Sequence, residues 1–261
     1  MKKDIIKILF IGDIVGRPGR SVVKNILSEI KVKEKIDLCF ANGENLAAGK
    51  GMTYAKYQEM IEAGIDYFTT GNHIWNNDDI IEHLNDSDTK ILRPLNYSED
   101  SPGRGMAQIG DIILVNLEGR VFMNEGLADP FRKAADLAER FPDKIIIIDF
   151  HAEATSEKIA LGYFLDGKIS ALVGTHTHVQ TADEKILDKG TAYITDLGMT
   201  GPADSVLGVK KEIIIEKFLT SLPQSHKVAS GDTIFNAVVI EIDTKTKKAL
   251  KIKRINKLVR S

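Results

Sequence analysis

Side chains that can bind metal ions follow five apolar runs of the 261-residue sequence. The five segments are Gly12-Asp13, Gly43-Glu44-Asn45, Gly71-Asn72-His73, His151 and Gly174-Thr175-His176-Thr177-His178. Carboxylate, carboxamide and imidazole groups of this kind are ligands for Mn, Fe or Zn. The chain has one cysteine, which argues against a structural zinc site made of thiolates. The residue types therefore predict a metal centre with oxygen and nitrogen ligands.

The apolar runs before these segments are typical of buried β-strands. Ligand sites in open α/β folds lie outside the carboxyl ends of such strands, so five strand ends can deliver their polar side chains to one crevice. His176 and His178 are two residues apart, so both point the same way if the segment is extended. The pair can then reach two metal ions or two faces of one ion.

Each segment taken alone also has an ordinary structural interpretation. An Asp after a strand is usually a helix cap. An isolated His at a strand end is more often a hydrogen-bonded structural residue than a ligand, and Gly-Asn-His is common in polar turns. The metal interpretation is favoured because all five segments follow apolar runs and are expected on the same side of the fold.

The remaining pattern alternates strands with helices. The predicted strands are 5–11, 36–41, 66–70, 112–117, 144–150, 169–173 and 191–195, and the predicted helices are 18–33, 53–64, 78–84, 130–140, 156–165 and 211–222. Strand-helix alternation predicts parallel strands covered by helices. Segments 233–242 and 249–255 alternate apolar and polar residues around Asp243-Thr244-Lys245, which is typical of a hairpin. We expect a single α/β domain over residues 1–261.

Composition excludes several other classes of protein. The formal net charge is −2, so no overall basic field is expected to bind nucleic acid. No apolar run reaches the length of about 18 residues that a membrane span needs. The first residues are interrupted by charges and fit a strand better than an export signal, so we expect a cytoplasmic protein. The glycines around residues 43–49 do not form a P-loop. No G-x-G-x-x-G motif for a dinucleotide follows the first predicted strand, and the sequence has no G-x-S-x-G nucleophile elbow.

In their order, the five segments resemble the pattern of the calcineurin-like metallophosphoesterases. That pattern is Asp-x-His, Gly-Asp-x-x-Asp, Gly-Asn-His-(Asp/Glu), His and Gly-His-x-His. This chain departs from it in three places: Val15 stands in place of the first His, Glu44 replaces the usual bridging Asp and is followed directly by Asn45, and Thr175 replaces the His of the usual Gly-His start of the last segment. These departures, together with the strings at 9–13, 149–158 and 173–183, are similar to the YmdB-like subfamily over essentially the whole chain.

The resemblance implies a four-layer αββα sandwich with mixed sheets and a centre of two metal ions, Fe or Mn, in divalent or mixed-valence form. It implies that one ion is held by Asp13, Asn45 and His178, the other by Asn72, His151 and His176, with Glu44 bridging them. The implied activity is hydrolysis of phosphodiesters, and of 2′,3′-cyclic nucleotides in particular. A metal-bound hydroxide would attack phosphorus and His73 would act as the acid.

Three questions stay open at this level. The chain could instead be a regulatory or scaffold protein that keeps the metal site to bind a nucleotide or a partner. The cationic loop Gly16-Arg17-Pro18-Gly19-Arg20 and Lys50 could touch a substrate phosphate or be solvated. The expected partner is a small phosphodiester or cyclic nucleotide rather than a membrane or a nucleic acid, and a homo-oligomer is compatible with the sequence.

Overall fold

The computed structural model describes residues 3–123 and 126–261 and places their strands in two sheets. The strands are β1 (Ile5–Ile11), β2 (Asp13–Ile14), β3 (Leu38–Asn42), β4 (Tyr67–Thr69), β5 (Ile91–Leu92), β6 (Met106–Ile109), β7 (Ile112–Glu118), β8 (Ile145–His151), β9 (Ala171–Thr175), β10 (Lys185–Ile186), β11 (Ala192–Ile194), β12 (Met199–Pro202), β13 (Thr233–Asp243) and β14 (Ala249–Val259). The helices are α1 (Gly16–Glu34), α2 (Tyr54–Glu62), α3 (Asp78–Ile81), α4 (Pro130–Arg140), α5 (Thr155–Phe164) and α6 (Lys211–Thr220).

Both sheets are mixed, and each contains four neighbouring parallel strands. The first has the order β2-β12-β13-β1-β3-β4-β5, and β14 pairs with β13. Its strands β1, β3, β4 and β5 run parallel, while β13 is antiparallel to β1. The second has the order β10-β11-β9-β8-β7-β6, with parallel β11, β9, β8 and β7 and antiparallel edge strands. The parallel strands of each sheet therefore present their carboxyl ends at one edge.

Alternate side chains of the central strands enter different hydrophobic cores. On β1, Ile8 and Phe10 lie in the core between the sheets, whereas Leu9 packs with α1 and α2. On β8, Ile147 lies between the sheets and Ile148 packs with α4 and α5. Strands buried on both faces read as continuous apolar runs, which is what these segments are. The layers confirm the four-layer αββα sandwich with mixed sheets.

Helix boundaries follow local capping. The Asp129 side chain accepts hydrogen bonds from the backbone N–H groups of Phe131 and Arg132, and Pro130 occupies the first turn of α4. This combination begins the helix at the predicted residue. Helix α1 begins at Gly16, two residues before the prediction, and ends where Lys35 takes a left-handed conformation. Among the helices of residues 3–123 and 126–261, none has the length and apolar character needed to cross a membrane.

Five short strands were not predicted from the sequence: β2, β5, β6, β10 and β12. Each has two to four residues, which is too short for an alternating or apolar pattern to show. Their pairing comes instead from the sheet that they join. For example, β12 pairs with β2 and β13, and this pairing places the 199–202 segment beside the strand that carries Asp13.

Candidate metal centre

The edge where the two sheets meet carries the predicted ligands. The first sheet supplies Asp13 on β2, Glu44 and Asn45 after β3, and Asn72 and His73 after β4; the second supplies His151 at the end of β8, and His176 and His178 after β9. The parallel strands bring these ends to the same side, as the sequence pattern predicted. The crevice is formed by two sheets rather than one.

Glu44 occupies the centre of this group and is 1% exposed. Its Oε1 atom lies 3.3 Å from Asn45 Nδ2. Its Oε2 atom lies 3.1 Å from His151 Nε2. The two oxygens of one carboxylate therefore face two different sets of side chains.

The first set comprises Asp13, Asn45 and His178. Asp13 Oδ1 lies 3.8 Å from His178 Nε2, and His178 Nε2 lies 3.1 Å from Asn45 Nδ2. Asp13 is fully buried, and within the described residues its Oδ1 atom has no hydrogen-bond partner. Because Asn45 presents Nδ2 to the cluster and Oδ1 to His73, ligation by Asn45 requires a half-turn of its amide. A buried oxygen without a donor is the feature that a cation would satisfy.

The second set comprises Asn72, His151 and His176. His151 Nε2 lies 3.3 Å from Asn72 Oδ1 and 3.0 Å from His176 Nδ1. Ligand atoms from Glu44, His151 and His176 all lie within 4.8 Å of one another. This spacing allows the three side chains to share one cation.

Gly71 makes room for this arrangement. A Cβ atom at Gly71 would lie 2.1 Å from His151 Cδ2 and 2.4 Å from Glu44 Oε2, both far inside van der Waals contact. Any side chain here would displace the two groups at the centre of the cluster. The glycine before Asn72 is therefore required by close approach of the backbone to the site.

The cluster concentrates negative charge in a buried space. Burial raises the pKa of Asp13 above its usual value. Burial opposes ionisation of Glu44 as well, but the adjacent His151 holds the pKa of Glu44 well below its usual range. Against the effect of burial on His151, Glu44 raises the pKa of His151 to about 9. Burial, and then the charge of His151, lower the pKa of His176 to about 3. The buried carboxylates thus require a nearby positive charge.

Thr175 and Asp149 orient His151. The Thr175 hydroxyl donates to Asp149 Oδ1 at 2.7 Å and lies 2.9 Å from His151 Nδ1. Since the hydroxyl hydrogen points to Asp149, the Thr175 oxygen accepts from Nδ1–H of His151. Nε2 then faces the cluster, where it shares a proton with Glu44 and would offer its lone pair to a cation that displaces this proton, as a metal-binding histidine does. Asp149 was not predicted as a site residue, although a carboxylate two residues before His151 in an Ile-rich strand was a usable signal.

A buried ion pair stabilises the loop that carries His176 and His178. Lys158 Nζ donates to Thr175 O at 2.8 Å and to Asp196 Oδ2 at 2.7 Å. Asp196 in turn accepts from Thr177 N at 3.1 Å. The loop needs this support because His176 and His178 have φ values of 99° and 65°, in a region that residues other than glycine rarely occupy. Sequence reasoning missed the pair, and the usable signal was a lysine three residues before Leu161 on the apolar face of α5.

His73 lies at the rim of the cluster. Its side chain is 27% exposed, its Nδ1 atom lies 3.1 Å from Asn45 Oδ1, and its backbone N–H donates to Glu44. Of the cationic groups considered from the sequence, Arg20 is engaged elsewhere, with Glu59 and with Leu46 O. Lys50 instead lines a cavity beside the cluster.

Two sheets between layers of helices, with histidines, carboxylates and amides at their common edge, define the metallophosphoesterase class of α/β protein. Within that class, the chain belongs to the family described as YmdB-like protein, whose sequence model matches residues 9–255. The 2′,3′-cyclic-nucleotide 2′-phosphodiesterase of Bacillus subtilis is 51% identical over 257 residues, which is 95% of this chain and 96% of the relative.

Two solved structures share the fold. A novel phosphatase from Mycoplasma pneumoniae superposes with a TM-score of 0.92 at 36% identity, over 99% of this chain and 95% of the other. A hypothetical protein from Thermus thermophilus superposes with a TM-score of 0.90 at 39% identity, over 97% of this chain and 99% of the other. The similarity therefore extends over nearly the full length of the chains compared.

Replacing Lys158 by Met tests whether the buried ion pair stabilises this edge. The substitution leaves the Asp196 carboxylate buried without its cation, so we expect the free energy of unfolding to fall by about 3–5 kcal/mol. Urea denaturation followed by circular dichroism measures the change. Lys33→Met, at an exposed position of α1, is the matched control and is expected to change stability by less than about 0.5 kcal/mol. Equal stability of the two variants would show that the pair does not brace the loop.

Proposed function

We propose that this chain is a phosphodiesterase that uses two metal ions to open 2′,3′-cyclic nucleotides. The observation that carries the proposal is the position of Glu44, whose two carboxylate oxygens face two separate sets of candidate ligand side chains. The name and the 51% identity of the B. subtilis relative support the cyclic-nucleotide substrate. The phosphatase named among the solved structures supports phosphoester chemistry more generally.

The residues present fit two cations. Asp13, Asn45 and His178 would hold one, Asn72, His151 and His176 the other, and Glu44 would serve both. The unpartnered Oδ1 of Asp13, among the residues that the structure describes, supports this assignment. The mixture of oxygen and imidazole nitrogen ligands suits Mn or Fe. When bound, such ions polarise phosphate oxygens and make water acidic enough to supply a nucleophile near neutral pH.

The protein's own groups would orient the substrate and move a proton. The buried ligand set fixes where a phosphate can sit, at the open side of the crevice near His73. Nδ1 of His73 lies 3.3 Å from Glu44 Oε1, so Nδ1–H is directed into the cluster and Nε2 is left to face the substrate. In the protonated, imidazolium form of the ring, Nε2 holds the proton that the substrate would receive. As the bond from phosphorus to the ribose oxygen breaks, this proton would pass from Nε2 to that oxygen.

The proposal predicts that Glu44→Gln loses both metal and turnover. The amide keeps the size of the side chain but removes the charge that offsets the repulsion between two cations. We expect Mn-reconstituted wild type to open 2′,3′-cyclic AMP, and the variant to retain at most one ion per chain and little activity. Elemental analysis and chromatography of the nucleotide products measure the two effects.

A buried glutamate outside the cluster supplies the control. Glu157 accepts hydrogen bonds from the backbone N–H groups of Arg120 and Val121, so Glu157→Gln removes a comparable charge without touching the ligands. That variant should keep both ions and its activity. Two tightly bound ions in Glu44→Gln would contradict the bridging role. If the wild-type protein held both ions but turned over no phosphodiester, the result would instead favour a protein that only binds nucleotides.

The proton-donor role predicts that His73→Ala affects substrates unequally. A general acid contributes about 10²–10⁴-fold in rate when the leaving group is an alkoxide that needs protonation. Turnover of 2′,3′-cyclic AMP should fall by that range, while bis-p-nitrophenyl phosphate, whose nitrophenolate leaves unprotonated, should lose much less. The measurement is kcat on both esters beside the metal content.

His83 provides the matched variant for this experiment. It is another partly exposed histidine, it pairs with Asp86, and its ring stacks on Tyr54. His83→Ala is expected to leave the ratio of the two rates unchanged. If His73→Ala lost a metal ion, His73 would be a ligand; an equal loss on both esters would indicate charge stabilisation instead of proton donation.

A further inference from the structure

A cavity of about 740 Å³ opens beside the metal centre. Lys50, in the loop that follows Glu44 and Asn45, lines one part of it, and Leu207 lines another. The backbone oxygen of Leu207 accepts a hydrogen bond from His178 Nδ1 at 3.0 Å. The cavity therefore adjoins His178, one of the side chains proposed to hold a cation, so a substrate bound there would lie next to the proposed metal centre.

One wall of the cavity is apolar. Val15, Leu207 and Val228 contribute to it, and a Cβ at Gly208 would lie 2.6 Å from Val15. Val15 stands where the metallophosphoesterase pattern has a histidine, so this chain has an apolar surface where related sites have a ligand. Volumes of about 300–1,000 Å³ with mainly apolar walls are typical of small-molecule sites. The apolar wall suits the face of a nucleobase and the carbon atoms of a ribose.

The cavity also has a cationic part. Lys50, Lys217 and His226 all line it. Slight burial, and then the charges of Lys217 and Lys50, lower the pKa of His226 below its usual value. On the same helix, Lys211 is paired with Asp204. By contrast, no carboxylate of the described chain forms an ion pair with Lys217 or Lys50. Two uncompensated ammonium groups at one opening attract an anion.

The geometry of a nucleotide indicates which anion these cationic groups would bind. In a nucleotide, the 2′ and 3′ oxygens and the 5′ carbon lie at opposite ends of the ribose. A substrate with its cyclic phosphate at the metal centre and its nucleoside against Val15 would direct its 5′ group away from the ions. The chemical group that carries negative charge at the 5′ position is a second phosphate.

We propose that this cavity binds the nucleoside of the substrate and that Lys50 and Lys217 bind a phosphate on its 5′ side. The inference rests on the proposed function, because it assumes a cyclic phosphate at the metal centre. The preferred substrate is then a 2′,3′-cyclic phosphate that also carries a 5′-phosphate group. Such a group occurs in a free 5′-phosphorylated nucleotide and at the 3′ end of an oligoribonucleotide.

The test compares three substrates of the Mn-reconstituted protein. These are adenosine 2′,3′-cyclic phosphate, the same compound with a 5′-phosphate, and the dinucleotide ApA ending in a 2′,3′-cyclic phosphate. We expect one or both phosphorylated substrates to have kcat/KM about three- to tenfold higher, mainly through KM, as two solvent-accessible ion pairs would give. Lys50→Ala and Lys217→Ala should each bring the ratio of kcat/KM values towards one, and added salt should do the same.

Lys227→Ala is the matched control, since Lys227 is an exposed neighbour of His226 that does not line the cavity. It should keep the wild-type ratio. A gain with the mononucleotide alone identifies the source as free nucleotides, and a gain with the dinucleotide identifies RNA ends; both support the cationic subsite. A ratio near one in the wild type, with cyclic AMP turned over, overturns this inference and leaves the proposed function intact. No turnover of any of the three substrates by fully metallated protein overturns both.

Discussion

Two carboxylates, Asp13 and Glu44, are buried at the edge where the two sheets meet, and the architecture of the site depends on their charge. Burying an ionised carboxylate is costly unless a positive charge or several donors compensate for it. Here Glu44 is compensated by a proton shared with His151, while Asp13 keeps one oxygen without a donor among the described residues. Cations at this edge would compensate for both carboxylates. The buried negative charge therefore explains both why the site needs cations and why it could use them in catalysis.

Much of the surrounding structure orients the groups that compensate for this negative charge. Asp149 and Thr175 fix the ring of His151, and Lys158 holds the carbonyl of Thr175 while it neutralises Asp196. These contacts are made between the second sheet, its loops and helix α5, whereas both carboxylates belong to the first sheet. The site can therefore form only when the two sheets pack, which couples ligand geometry to the core between them. Outer contacts of this type commonly alter metal affinity about 10–100-fold when removed.

Sequence reasoning succeeded where the signal was local. Strand β1 and helix α4 have the predicted bounds, because an uninterrupted apolar run and an Asp-Pro capping pair identify them from neighbouring residues. The same is true of the five polar segments, whose positions after strands needed no knowledge of pairing. The partition of the strands into two sheets was not local information, since strands of both sheets are apolar on both faces. That feature came from the family resemblance.

What the sequence could not reveal depended on distant partners. Lys158 looks like an ordinary helix lysine until Asp196 is placed beside it. Lys50 stays open between a phosphate contact and a solvated lysine until the fold brings Lys217 and His226 to the same cavity. Short strands such as β12 were missed for the same reason, because the sheet and not their own residues defines them.

The most direct test of the account is the position of the cations themselves. Crystals of the Mn-reconstituted protein, measured at the manganese absorption edge, would give anomalous peaks at each bound ion. We predict two peaks about 3.5–4 Å apart, one on each side of Glu44, with Asp13 and His178 at one and His151 and His176 at the other. A single peak at saturating manganese, or two peaks that do not share Glu44, would contradict it.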